Sequence, residues 1–211
     1  MKQPLSLLRA ATLVSLATLG AVTTVTLSGC AALLVGGAVG TALMISDRRT
    51  SGTQIEDQAI ELKAVTRIRA AVGDRGHINT VSYSRIVLLT GEVASEADRS
   101  AVEQAVARIE NVRSTVNELA VMGSSSLTAR SNDTILTSKV KATFIDAKDV
   151  QAQAVKVVTE RATVYLLGRV SEREAARATE LARGVSGVQK VVRVFEILTE
   201  AELAALGAAK P

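Results

Sequence analysis

The sequence predicts an α+β protein made of two αββαβ units, each a three-stranded mixed sheet with two helices on one face. Three observations predict it. The run Val87-Leu88-Leu89-Thr90-Gly91-Glu92-Val93 recurs as Val164-Tyr165-Leu166-Leu167-Gly168-Arg169-Val170, which is an internal repeat. Each copy of the run is followed by a serine with an acidic residue three positions on, Ser95 with Asp98 and Ser171 with Glu174. That spacing opens helices, because the serine oxygen accepts from an exposed backbone N–H. The segments between these anchors switch from period-two alternation to alanines at three- and four-residue spacing, as strands and helices respectively require.

The elements follow in order. A helix begins near Asp57 in copy one and near Asp133 in copy two. A strand follows, His77 to Tyr83 or Ala154 to Thr159, and a tight turn at Ser84-Arg85 or Glu160-Arg161. The second strand runs Ile86 to Thr90 or Thr163 to Leu167, and the Ala-rich helix runs from Ser95 to about Ile109 or from Ser171 to about Arg183. The last strand is Val112 to Val121 or Val188 to Leu198. The short turn makes the first two strands antiparallel, and the crossover helix makes the second and third parallel. Gly91 and Gly168 close the second strands, where a residue without Cβ serves a positive φ or a close backbone approach. The predicted boundaries are domain 1 at 55–122, a polar linker at 123–131, domain 2 at 132–198 and an Ala-rich tail at 199–211.

Residues 1–29 have the layout of a secretory signal, with Lys2 and Arg9 ahead of an apolar middle. The segment ends in Leu27-Ser28-Gly29-Cys30, which resembles the lipobox of bacterial lipoproteins at every position. The resemblance implies cleavage before Cys30 and a diacylglycerol thioether on its sulfur. Cys30 is the sole cysteine, so no disulfide staples the exported domains, and packing alone must hold them. Ala31 stands where an aspartate in enterobacterial lipoproteins implies inner-membrane retention, so the resemblance implies an outer-membrane destination. Residues 30–54 read as tether and linker: an apolar stretch through Ile45, too short for a spanning helix, then a polar segment from Ser46 to Gln54. Gly36 and Gly40, four apart, also allow two helices to approach closely.

Composition excludes several functions. The formal charge of +4 falls to +2 once Lys2 and Arg9 leave, and with two Phe, two Tyr and no Trp few rings are present to stack bases. Nucleic acid is therefore not an expected partner, and glycan binding is disfavoured for the same lack of rings. His77 is the only histidine, with no companion to complete a metal site, and reads as a solvated loop residue. No nucleophile–base set and no Gly-rich phosphate loop is present, so neither an enzyme nor a cofactor is expected.

The paired αββαβ units, the shared Val-x-Leu-x-Gly-x-Val core and the Gly187-Val188 pair before the last strand resemble tandem BON domains. Copy one departs from the pattern with Asn111 in place of that glycine. Together with the lipobox, the chain is similar to dual-BON outer-membrane lipoproteins. That resemblance implies a lipid-anchored protein on the periplasmic face of the outer membrane that supports envelope integrity, is enriched at the division site, and binds anionic phospholipid through the first helix of domain 2. The residues fit the implication. At about 100° per residue, Leu136, Val140, Thr143 and Phe144 share the inner side of that helix. Ile135, Ala142 and Ile145 share the other, flanked by Lys139 and Lys141, which suits insertion among anionic headgroups. The corresponding helix of copy one carries Glu56, Asp57 and Glu61 and is a poorer reader of anions. Ile135 stands where one member of the family carries a tryptophan, so apolar area is kept and the interfacial ring is lost. An envelope protein docking on the same surface is the alternative partner. Domain orientation and oligomeric state are open.

Overall fold

The computed structural model describes residues 47–208. The signal segment, Cys30 and the apolar tether with Gly36 and Gly40 lie outside the described residues. In chain order the elements are α1 (Ser51–Val72), β1 (Gly76–Tyr83), β2 (Ile86–Val93), α2 (Glu96–Ala107), β3 (Ser114–Asn117), β4 (Ala120–Val121), α3 (Leu127–Asp146), a short 3₁₀ turn (Ala152–Ala154), β5 (Val155–Glu160), β6 (Thr163–Val170), α4 (Glu172–Gly184), β7 (Lys190–Ile197) and α5 (Glu200–Ala208). Sheet order is β1-β2-β3 in domain 1, with β4 also on β2, and β5-β6-β7 in domain 2. The first pair in each is antiparallel and the second parallel. The αββαβ order is thus present twice.

Several boundaries differ from the sequence expectation. β2 and β6 run on to Val93 and Val170, so Gly91 and Gly168 lie inside the second strands, paired with Ile78 and Val155, rather than closing them. α1 and α3 start at Ser51 and Leu127, about two turns before Asp57 and Asp133, capped by Thr50 and Ser126. Their first turns bury no apolar side chain, so no period of burial marks them. The last residues of the two segments expected as linkers, 51–54 and 127–131, are therefore helix. The last strand of domain 1 is broken at Glu118-Leu119, where Asn117 Oδ1 accepts from Leu119 N at 3.2 Å and Leu119 turns into the core at 3 % exposure. The second turn lies one residue later than expected: Arg161 and Ala162 take φ of 49° and 55°, matching Ser84 at 50° and Arg85 at 66°.

Each domain has its own core between helices and sheet. In domain 1 Ile60, Ala64 and Ile68 of α1 meet Val87 and Leu89 of β2 and Val102 and Val106 of α2. In domain 2 Val140 and Phe144 of α3 meet Val164 and Leu166 of β6 and Ala175, Ala178 and Ala182 of α4. The small side chains of Ala175, Ala178 and Ala182, all fully buried, let α4 approach the sheet closely.

The opposite faces of the two sheets pack on each other. Tyr83 and Leu88 from domain 1 join Tyr165, Leu167 and Val194 from domain 2 in one buried cluster. β2 and β6 are therefore covered on both sides, which is why both read as unbroken apolar runs. Each large side chain so buried contributes about 1.5–3 kcal/mol. Polar contacts rim the joint: Asn79 Nδ2 donates to Glu160 at 2.9 Å, and Arg161 donates to the carbonyl of Gly91 at 2.9 Å. Arg161 also reaches the fully buried Glu92 at 3.3 Å.

The segment before α1 is fastened to both domains. Arg48 donates to both oxygens of Glu174 at 2.7 Å, to Gln151, and to the carbonyl of Arg169. The Arg48 guanidinium holds the Glu174 carboxyl below its ordinary range. Arg49 pairs with Asp57 at 2.7 Å and lies over the Tyr83 ring at 4.2 Å.

Candidate functional site

α3 is fixed from behind. Asp133, Leu136, Val140 and Phe144 form its buried stripe. Thr137 donates across to Thr159 of β5 at 2.7 Å. Asp133 accepts from the backbone N–H groups of Arg161 and Ala162, both at 2.8 Å, and so ties the helix to the turn of its own sheet. A 20-residue helix held along its length presents a rigid outer face about 30 Å long.

That outer face carries the residues singled out in the sequence. Ile135 is 54 % and Ile145 70 % exposed, and Lys139, Lys141 and Ala142 between them are exposed as well. Neither lysine has an ion-pair partner among the described residues. Thr143, expected on the inner side, is half-buried at its margin. Several hydroxyls are turned back into the helix: Thr134, Ser138 and Thr143 donate to the carbonyls four residues earlier, Arg130, Thr134 and Lys139. Their donors are satisfied internally, so the face asks less of an apolar environment than its composition suggests.

Leu127, at 79 % exposure, is the residue that sequence reasoning missed. It lies 18 positions before Ile145, a whole number of turns at 3.6 per turn, and so extends the same stripe to the start of the helix. It falls in the polar segment between the repeats, and no buried period reaches it. The only available signal was Ser126 as an N-cap, whose hydroxyl accepts from Ala129 N at 3.2 Å.

The equivalent helix of domain 1 differs at these places. With Asp57 answering Asp133, Ala59 stands for Ile135, and Lys63 alone answers a lysine. Glu61 is engaged inward and sideways, accepting from Ser82 N at 2.8 Å and pairing with Lys156 at 3.4 Å. The two singled-out glycines sit under neighbouring carbonyls. A Cβ on Gly91, at φ 109°, would come within 2.0 Å of the oxygen of His77, and one on Gly168 within 2.4 Å of that of Ala154. His77 itself is in β1 rather than in a loop, its Nδ1 buried 3.9 Å from Glu92. No group of three or more metal-ligating side chains occurs among the described residues, and no described helix is long and apolar enough to cross a membrane.

Two αββαβ domains joined back to back through their sheets, with one basic-edged apolar helix face outward, define a tandem-module protein of the α+β class. The BON domain family model matches residues 56–123 and 132–199. The chain is 38 % identical over 178 residues to outer membrane lipoprotein DolP of Haemophilus influenzae, covering 83 % of this chain and 92 % of that one. It is 31 % identical to a 21 kDa hemolysin of Actinobacillus pleuropneumoniae, covering 71 % of this chain and 78 % of that one. It is 30 % identical to osmotically-inducible protein Y of Escherichia coli, covering 66 % and 72 %. The chain belongs to the BON-domain family, as a tandem-domain member of the DolP type.

Proposed function

We propose that this protein is an outer-membrane lipoprotein, acylated on Cys30 and facing the periplasm, that binds anionic phospholipid through the outer face of α3 and thereby supports envelope integrity. The likeness over most of the chain to a relative named as an outer membrane lipoprotein supports the location, and the sequence Leu27-Ser28-Gly29-Cys30 supports the anchor. One observation carries the activity: Lys139 and Lys141, without ion-pair partners among the described residues, flank Ile135, Ala142 and Ile145 on a helix fastened from behind. Each lysine near an anionic surface contributes about 1 kcal/mol, and the isoleucines add apolar area that only a non-aqueous neighbour covers. Contacts this weak suffice when an acyl chain already holds the protein at the bilayer, because the second contact is then intramolecular. Enrichment at the division site, which the family resemblance implies, belongs to the same reading.

Flotation of the chain lacking residues 1–30 with vesicles tests this. Binding to anionic vesicles, none to neutral ones, and loss on Lys139→Glu are expected. Equal binding to both kinds sinks the reading. A photo-crosslinker at Ile135 that captures protein rather than lipid in cells moves the surface to protein docking.

A further inference from the structure

Domain 1 carries a second surface, made by a strand edge and a helix flank. β1 is an edge strand: it pairs with β2 and with no other described strand. Ala94 N donates to the carbonyl of Arg75, and the register pairs His77 with Glu92 and Asn79 with Thr90. Antiparallel alternation therefore turns the backbone groups of Gly76, Ile78, Thr80 and Ser82 outward. Ser82 N–H is already taken by Glu61. The outward groups of Gly76, Ile78 and Thr80 line a groove of about 810 Å³ whose other wall is the flank of α1. On that wall Leu62 is 73 % and Val65 64 % exposed.

Domain 2 has no such wall. Ser138 and Lys141 stand in α3 where Leu62 and Val65 stand in α1, counting from the paired aspartates. The groove is a property of domain 1 and is independent of the lipid reading of α3.

We propose that this groove docks an extended, uncharged, apolar stretch of another polypeptide, which adds to β1 as a further strand. A row of alternating N–H and C=O groups is matched by a second backbone and by nothing in an acyl chain. Side chains at alternate positions of the incoming strand then face Leu62, Val65 and Ile78. Charge selects the same occupant. Glu61 is already held by Lys156, and the far end of the groove presents one charge of each sign, Arg69 and Asp74. With no excess of cations the groove is not the complement of an anionic headgroup. From Gly76 to Thr80 the edge spans about 13 Å, the length of roughly four to five strand residues.

The test uses the full mature chain and a blocked peptide of about nine residues alternating valine with serine. Amide exchange at Gly76, Ile78 and Thr80 is expected to slow about tenfold or more with peptide at about millimolar concentration. A peptide N-methylated at alternate amides, and the Val65→Asp protein, are expected to show no slowing, while Val65→Asp keeps its vesicle binding. Unchanged exchange at all three amides with the unmodified peptide overturns the proposal. So does protection that appears without peptide and rises with protein concentration, which gives the edge to a second copy of the chain.

Discussion

Asp133 holds Ala162 in a backbone conformation that alanine does not choose. Oδ1 accepts from the Ala162 N–H at 2.8 Å while Ala162 sits at φ 55°. The same device recurs in domain 1, where Asp57 accepts from Ser84 N, Arg85 N and Ser82 Oγ. Two-residue hairpins need positive φ at both central positions and normally use Asn-Gly. Neither turn contains glycine, so a buried carboxylate from the first helix supplies what the turn residues lack.

Ala162→Gly is therefore expected to stabilise the protein by about 1 kcal/mol, since the left-handed penalty disappears and the hydrogen bond stays. Asp133→Ala is expected to cost about 1–3 kcal/mol through the unpaired N–H groups of the turn. In the double variant the two effects are coupled, with the Ala162→Gly change recovering part of the loss. Urea unfolding midpoints measure all three. An Ala162→Gly protein no more stable than the parent shows that the turn is unstrained.

Gly91 and Gly168 occupy matching places in the repeat but differ in backbone. Gly91 combines a positive φ with the close carbonyl of His77, whereas Gly168 has only the close carbonyl of Ala154. Gly91→Ala is expected to cost about 2–4 kcal/mol and Gly168→Ala less, because only the first adds strain to the clash. Thermal unfolding of the two variants side by side tests the order.

Both tyrosines lie in the joint between the sheets, and both are held neutral. Burial, followed by the nearby Glu118 carboxylate, pushes Tyr165 up to about 12, and burial followed by Asp47 raises Tyr83. A raised tyrosine pKa favours the folded state below the ordinary value of 10, and that contribution is lost as pH climbs from 10 toward the folded value. The joint is thus expected to weaken in alkali. With no tryptophan in the chain, tyrosinate absorbance reports these two groups directly. Ionisation is expected only above pH 10, together with loss of the folded signal. Two tyrosines titrating freely near 10 in a folded protein would place them in water.

The repeat, the strand order and the inner stripe of α3 were legible because each rests on periodic burial. Leu136, Val140 and Phe144 recur at helical spacing, and nothing else in that segment competes for the core. What escaped was set by contacts between distant positions. The unbroken runs Val87 to Leu89 and Val164 to Leu167 show that both faces are covered, but not that each covers the other. Arg48 and Arg49 sit in a polar stretch with the composition of a linker, and only Glu174, more than a hundred residues away, reveals the first as a fastening. Leu127 escapes for the reverse reason: it supports no core and leaves no period of burial to read.

Leu127 gives the sharpest test of the outer face of α3. Ile135, Ile145, Lys139 and Lys141 alone make a patch confined to residues 135–145 of the helix. With Leu127 included, exposed apolar side chains stand at both ends of this face, so the helix axis would lie along the membrane plane. Leu127 is 79 % exposed and supports no core, so Leu127→Asp is expected to leave the unfolding midpoint within about 0.5 kcal/mol of the parent. Its affinity for anionic vesicles is expected to fall about tenfold, through lost apolar area and added repulsion from the headgroups. Ser131→Asp, between Leu127 and Ile135, is expected to act in the same direction, whereas Glu110→Lys on domain 1 is a control of altered charge away from α3 and leaves binding nearly unaltered. Full binding by Leu127→Asp confines the lipid contact to the C-terminal half of α3, with the helix meeting the bilayer end-on.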